Sequence, residues 1–490
     1  MPCFGGAFSF KNSVMDKKKL IRLIICIVLT LIAWCIPAEW FGIEGLTVVE
    51  QRVIALFIFA ASMWITEPVP IWTTSVFLMV LMLLTTSNSM VVFLRPQGVM
   101  PDNAISYKAI MAAFADPTIM LFLGGFVLAI AASKYKFDAA LARVMMKPFG
   151  TQPRKVMLGF ILITAVFSMF MSNTATAAMM MAILTPVLAK MPVDGRGRIG
   201  MALAIPVAAN IGGIGTPIGT PPNTIAVKYM SDTMGTAVDF LPWMTVMVPV
   251  MLVILFISWV FLYKMFPFRQ GLTLEVKIEG EFDKSPKAKL VYVTFIATIL
   301  LWLTGKWTGL NSFVVALIPF AVFSICGVFD KNDFAKVDWD VLWLVAGGFA
   351  LGVGLDKTGL AKHLVETIPF HQWSVMAVLI GSGLICILMA TFMSHSATAA
   401  ILVPILAAVG MGMKEQLAPL GGVATLLISV AISSSLAMAL PISTPPNAIA
   451  YAKGFIKTSD MAKVGIFVGI IGMIVAYVGI IFAGKLGLFN

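Results

Sequence analysis

The chain reads as an all-α polytopic membrane protein built on an inverted-topology repeat, with about 11 transmembrane helices, two re-entrant hairpins and two unwound helices. Three observations predict this. Hydrophobic residues make up 60% of 490 positions and charged residues only 12%, with a mean hydropathy of +0.97, against about 25% charged in ordinary soluble domains. Apolar runs of helix-spanning length recur from end to end, without the short alternation of a transmembrane barrel. Three motifs also occur twice in the same order: Gly124-Gly-Phe with Gly347-Gly-Phe, Ser172-Asn-Thr-Ala-Thr-Ala-Ala with Ser394-His-Ser-Ala-Thr-Ala-Ala, and Thr220-Pro-Pro-Asn with Thr444-Pro-Pro-Asn. The copies stand 223, 222 and 224 residues apart, which marks a duplicated chain.

Taken in order, the apolar runs place spans at 20–37, 51–66, 69–85, 117–134, 199–217, 241–265, 288–305, 311–328, 341–355, 420–441 and 463–484. The first follows a basic segment but lacks a small-residue cleavage site after Ile36-Pro-Ala-Glu-Trp, so a retained helix is expected there. Two stretches, 155–190 and 374–410, are too long for one crossing and carry their polar motif at the centre. Two half-helices meeting at a polar tip fit them, because irregular backbone at membrane depth survives only where protein or a wet cavity satisfies it. The 199–217 and 420–441 spans end at Pro-Pro, where proline removes a donor and disfavours helix in the residue before it. Each is expected to unwind there and resume near Asn223 or Asn447.

From one Gly-Gly-Phe helix to the other the number of crossings is odd, so corresponding helices point in opposite directions. The expected partition is 1–150 and 151–265 in the first half, with 266–370 and 371–490 in the second.

The net charge of +11 gathers in short loops: Lys11, Lys17, Lys18, Lys19 and Arg22; Lys134, Lys136, Arg143, Lys147, Arg154 and Lys155; and a third group from Lys264 through Lys277 to Lys289, mixed with acids such as Glu279. Such clusters mark the cytoplasmic side of a membrane protein, and no nucleic-acid motif accompanies them. Glu39, Glu44 and Glu50 lie in the first external loop, giving a cytoplasmic N-terminus in a cell membrane. The loop 329–340 holds four Asp and two Lys and gives this orientation no support. The five cysteines show neither disulfide nor metal spacing. His363 and His371 read as solvated, and Lys134 as a snorkelling helix-end anchor.

Four chain breaks near mid-membrane gather free N–H groups and positive helix ends at the hairpin tips. Hydroxyls of Ser172, Thr174, Thr220, Ser394, Ser396 and Thr444 add donors. This equipment suits an anion, carboxylate above all, while the free carbonyls of the first half-helices and unwound loops suit Na⁺. No catalytic set such as His-Glu-x-x-His is present, and adjacent residues such as Ser394 and His395 do not face each other on a helix. An enzyme is therefore not expected. A channel is a more distant alternative, since broken inverted repeats favour alternating access.

With these tips and Pro-Pro loops, residues 117–485 resemble the divalent anion/sodium symporter family. The resemblance implies eleven spanning helices plus two hairpins, scaffold helices in 1–150 and 266–370 that join homodimers, transport parts in 151–265 and 371–490 with an elevator-like movement, and substrates of the dicarboxylate class (malate, succinate, fumarate, 2-oxoglutarate or citrate). It assigns substrate contact to Ser172, Asn173, Thr174, Gly219, Thr220 and Pro221 in the first repeat, and to Ser394, His395, Ser396, Ser443, Thr444 and Pro445 in the second. It implies no organic cofactor, and one Na⁺ at Ser172, Asn173 and Gly219.

One departure changes the expectation. The family pattern has Asn-Thr in the second tip, whereas this chain has His395-Ser396. An imidazole is a poor ligand for a hard cation. A dianion in the bilayer costs at least ~2.5–3.5 kcal/mol per charge, and two helix ends return only ~0.3–2 kcal/mol each. A protonated His395 would supply a fixed cation in place of the second Na⁺, which predicts exchange of one anion for another. Na⁺-coupled symport is the alternative.

Overall fold

The computed structural model describes residues 16–43, 45–95, 104–193, 195–234, 239–276, 281–367 and 372–488. The readings placed on Lys11, Glu44, Lys277, Glu279 and His371 lie outside the described residues.

The first half runs α1 (Lys17–Cys35), α2 (Val48–Thr66), α3 (Ile71–Thr85), α4 (Tyr107–Ala112), α5 (Pro117–Lys134), α6 (Phe137–Met146), α7 (Pro153–Ser168), α8 (Asn173–Lys190), α9 (Arg196–Gly212), α10 (Pro221–Met234) and α11 (Phe240–Met265). The second runs α12 (Pro286–Leu303), α13 (Gly305–Thr308), α14 (Ser312–Ile325), α15 (Lys331–Phe334), α16 (Trp339–Thr358), α17 (Leu360–Thr367), α18 (Val375–Phe392), α19 (His395–Gly412), α20 (Lys414–Leu417), α21 (Gly422–Ser435), α22 (Pro445–Ala452) and α23 (Thr458–Lys485). Among the described residues, nine helices are long and apolar enough to cross a membrane, and no strand forms. Each of the eleven expected spans contains a helix. The 155–190 and 374–410 stretches become the pairs α7–α8 and α18–α19, broken at Ser172 and Ser394.

The duplication is visible in packing. The Gly-Gly-Phe helix of each half lies against a helix of the other: α5 against α14, and α16 against α3. Small residues permit this, as expected where helices pack without a hydrophobic drive between them. A Cβ on Gly124 would strike the backbone carbonyl of Ala316, and one on Gly347 would lie 2.5 Å from Ser75 Cβ. Each Gly-Gly-Phe motif therefore sits at a close helix crossing.

Helix ends follow local chemistry. Asp116 caps α5, accepting from the Thr118 N–H at 2.9 Å, with Pro117 at the first helical position where its missing donor is harmless. Ser172 and Ser394 cap the second member of each pair, accepting from Ala175 N at 3.2 Å and Ala397 N at 3.1 Å. The two spans that end at Pro-Pro unwind earlier than expected. Helix α9 stops at Gly212 and passes through a tight turn at Gly213–Gly215, while α21 stops at Ser435. At its end α9 packs closely on α7: a Cβ on Gly212 would lie 2.5 Å from Ala165 Cα. The prolines mark where helix resumes, not where it ends.

Charged contacts fix the ends of the bundle. Lys134 is more than an anchor: its Nζ lies 2.5 Å from Asp333, 3.1 Å from Asp330 and 2.9 Å from the Val328 carbonyl. Two of the four carboxylates in the acidic 329–340 loop, Asp330 and Asp333, are thus paired with a lysine from another helix. Burial alone would raise the Asp333 pKa, but hydrogen bonds from Lys134 and Lys336 prevail and hold it at about 2. At the opposite end of α5, Asp116 pairs with Lys228 of α10 at 3.0 Å. His363 is not simply solvated either; its Nδ1 lies 2.8 Å from the fully buried Glu50 carboxylate.

Candidate functional site

The two broken pairs and the two unwound loops meet around one cavity of about 580 Å³, within the range of small-ligand sites. All twelve residues expected at the substrate site line it: Ser172, Asn173 and Thr174; Gly219, Thr220 and Pro221; Ser394, His395 and Ser396; Ser443, Thr444 and Pro445. Residues 222 to 224 apart in the chain thus face a common space. Apolar walls come from the Gly-Gly-Phe helices and α3, through Phe122, Phe126, Leu344, Ile71 and Trp72. The lining reaches Asp338 and Asp340 at the start of α16, so the cavity extends toward the face that carries the Lys134–Asp333 pair. The Lys228–Asp116 and Glu50–His363 pairs lie at the other ends of α5 and α2.

Each loop is held in the same way. In the first, the Asn223 amide donates to the carbonyls of Gly213 (3.0 Å) and Thr216 (2.8 Å), and the Thr216 hydroxyl donates to the Met169 carbonyl at the tip. In the second, the Asn447 amide donates to Met438 O (2.8 Å) and Leu440 O (2.9 Å), and the Ser443 hydroxyl donates to Thr391 O at 2.7 Å. The asparagine of Thr-Pro-Pro-Asn is therefore a clamp on unwound backbone. It satisfies carbonyls that would otherwise be orphaned by the loss of helix.

The two tips differ in their polar interior. Around Asn173, the side-chain atom facing inward lies 2.5 Å from Ser168 Oγ, 3.1 Å from Gly219 O and 3.2 Å from Ala209 O. An asparagine amide fits the same outline in two orientations. With nitrogen inward, it donates to these oxygens. The three oxygens form a ring around this side-chain atom, and the hydrogen bonding favours the nitrogen-inward orientation that donates to all of them. Ser172 is not part of this ring; its hydroxyl caps α8 while lining the cavity.

Around His395 the corresponding space is filled. Its Nε2 lies 2.7 Å from the Ala437 carbonyl, and its own carbonyl accepts from the Ser434 hydroxyl at 2.8 Å. A neutral imidazole with hydrogen on Nε2 makes this contact as well as a protonated one. The contact therefore needs no fixed positive charge. It does place a nitrogen donor against a loop carbonyl, where an oxygen ring would need another acceptor.

Two participants escaped the sequence reading. Asn210 lines the cavity, and its amide donates across the repeats to Thr444 Oγ1 (3.2 Å) and Asn447 Oδ1 (3.3 Å). Ser168 donates to Ala209 O at 2.7 Å beside the Asn173 ring. Asn210 carried a signal, since an amide inside an apolar span is costly unless it has a task. Ser168 carried none, because serines commonly bond back to their own helix.

The chain is 27% identical, over 95% of its length and 92% of the relative's, to "Sodium-dependent dicarboxylate transporter SdcS" of Staphylococcus saprophyticus. It is 30% identical to the SdcS protein of Staphylococcus aureus, covering 86% of this chain and 84% of that one. It is also 31% identical to an uncharacterized transporter of Haemophilus influenzae, covering 86% and 89%. Among solved structures, Neisseria gonorrhoeae MtrF, described as illuminating a class of antimetabolite efflux pumps, shares the fold at a TM-score of 0.54 and 13% identity, covering 91% of this chain and 96% of that one. The family model described as "Sodium:sulfate symporter transmembrane region" matches residues 17–488, and the chain belongs to that family of membrane transporters.

Proposed function

We propose that the protein is a sodium-coupled secondary transporter of C4-dicarboxylates or closely related di- and tricarboxylates, in the cell membrane with its N-terminus inside. The observation that carries this is the single cavity lined by both tips and both Pro-Pro loops. Its donors are the hydroxyls of the tips and the N-terminal ends of α8 and α19, which favour anionic groups. A doubly negative guest at this depth costs several kcal/mol, and a co-bound cation at the Asn173 oxygens would offset part of it. The relatives whose names state a cargo are sodium-dependent dicarboxylate transporters. That favours sodium coupling over the exchange suggested by His395.

In this reading Na⁺ sits among Asn173 Oδ1, Ser168 Oγ, Ala209 O and Gly219 O, after the Asn173 amide turns its carbonyl inward. Substrate carboxylates then meet Ser172, Thr174 and Thr220 from one side and Ser394, Ser396 and Thr444 from the other. The two halves act as an inverted repeat with re-entrant hairpins. Residues 151–265 and 371–490 move as the transport part against scaffold 1–150 and 266–370, in an elevator-like step within a homodimer. The cavity extends toward the face that carries the Lys134–Asp333 pair, the inner face in this reading, which corresponds to an inward-open carrier.

Anion exchange is the second reading, kept because the His395 Nε2–Ala437 O contact places nitrogen at the second loop. Proteoliposomes separate the two. Sodium coupling predicts accumulation of labelled succinate driven by an inward Na⁺ gradient with no internal dicarboxylate. Uptake that ignores Na⁺ and requires internal succinate would establish exchange instead.

A further inference from the structure

We infer that Asn210 is the positioning residue that couples the cation site of the first repeat to the substrate-holding loop of the second, an inference that rests on the sodium-coupled reading above. Two adjacent residues of α9 face the two sites. The carbonyl of Ala209 accepts from Ser168 Oγ at 2.7 Å and stands 3.2 Å from the inward atom of Asn173, inside the oxygen ring. The next side chain, Asn210, spends its amide nitrogen on Thr444 Oγ1 and Asn447 Oδ1 of the opposite repeat.

Those two acceptors control the second loop. Thr444 Oγ1 caps the resumed helix by accepting from Asn447 N at 3.2 Å, and the Asn447 amide clamps Met438 O and Leu440 O. A displacement of the last turn of α9 toward a cation at Ala209 O therefore moves the donor that holds Thr444 and Asn447. The remaining atom strengthens the argument. Asn210 is 1% exposed, and its Oδ1 has no hydrogen-bond partner among the described residues. A buried acceptor left unpaired is unfavourable, so a residue whose only duty was packing would have little reason to be an amide.

The bridge is not reciprocated. Ser434 stands at the matching position of the second repeat, 224 residues on, and its hydroxyl turns to His395 O in its own half. Communication between repeats through these two positions therefore runs through Asn210 alone. Reciprocity then requires that Na⁺ sharpen dicarboxylate binding by the same factor as dicarboxylate sharpens Na⁺ binding.

The test uses the full-length protein in detergent, with NaCl and succinate as probes. Succinate affinity is titrated in NaCl and in choline chloride, and ²²Na⁺ binding is measured without succinate. The wild type is expected to bind succinate more tightly in Na⁺. Asn210→Ala should lose about tenfold of that enhancement while Na⁺ binding alone stays within about twofold. Asn210→Ser places at this position the residue that the other repeat carries without a bridge, so it should lose the enhancement as well; it also serves if the alanine variant fails to fold. Full enhancement in both variants would overturn the inference and leave the sodium-coupled reading intact. Loss of Na⁺ binding itself in both would reduce Asn210 to a support of the first site and also overturn it. A wild type indifferent to Na⁺ would overturn both readings together.

Discussion

The imidazole Nε2 of His395 lies 2.7 Å from the carbonyl oxygen of Ala437, forty-two residues away on the second unwound segment. The equivalent position of the first repeat, Asn173, faces an oxygen ring instead. The two tips therefore differ in their polar interior, and in the sodium-coupled reading only the first would hold a cation. Wild-type uptake should rise with Na⁺ along a curve of Hill coefficient near one, since the coefficient is bounded by the number of sites. Asn at this position restores an amide oxygen, so His395→Asn should steepen that curve above one. An unchanged curve in the variant would show that His395 does not limit cation stoichiometry.

Gly124 is expected to be intolerant of even a methyl group. The obstacle is the Ala316 backbone rather than a mobile side-chain end, so α5 and α14 would have to separate. Gly124→Ala should cost roughly 1–3 kcal/mol, the usual penalty for overpacking, and lower the unfolding temperature in detergent. Gly125→Ala is the control, because a Cβ there meets only Ile218 Cδ1 at 3.5 Å.

The Lys228–Asp116 pair ties α10, which begins at the first Pro-Pro, to the start of α5. Both side chains are more than four-fifths buried, and the Lys228 ammonium also sits 5.3 Å from the Phe349 ring centre. Removing Lys228 leaves the largely buried Asp116 carboxylate unpaired, a change worth about 3–5 kcal/mol in comparable pairs, whereas Lys228 keeps Asp232 at 3.0 Å when Asp116 is removed, so the second change costs less. Lys228→Met and Asp116→Leu should each destabilise the protein, and the double variant should be less affected than the sum of the two. Strict additivity in thermal unfolding would show that the two side chains do not interact.

Asp333 sets an acid limit. Its folded pKa of about 2 lies below the ordinary carboxylate value of 3.8, through Lys134 and Lys336. A depressed folded pKa contributes stability that is present above the unfolded value and is lost as pH falls through the folded one. The window therefore runs from about pH 4 down to about pH 2. Thermal unfolding of Asp333→Asn should show a shallower loss of stability across that window than the wild type. Parallel curves would remove the ion pair from the acid response.

The sequence was most legible where it repeats or where solvent preference dominates. Long apolar runs gave all eleven spans a helix, because bilayer-length burial leaves few alternatives. Ser172 and Ser394 marked the helix breaks, since a capping serine is a local signal. The Pro-Pro motifs located the loops but misplaced their beginnings, because α9 stops at Gly212 and α21 at Ser435 and the unwound carbonyls beyond them are held by the Asn223 and Asn447 amides, contacts that form only in the folded chain. Lys134 and His363 were misread for the same reason: their partners, Asp333 and Glu50, are distant in the chain. Asn210 and Ser168 were missed because their work is tertiary. The exchange expectation came from the identity of His395, whereas its contact with Ala437 exists only in the folded chain.

The most direct test of one chamber shared by both repeats uses Thr174→Cys and Ser396→Cys, placed separately in a background lacking the native cysteines. Each is labelled with a membrane-impermeant thiol reagent while succinate is titrated in the presence of Na⁺. Shared enclosure predicts that succinate slows labelling at both positions with a common half-protecting concentration. Protection at only one position, or two unrelated concentrations, would contradict a single pocket formed between the halves.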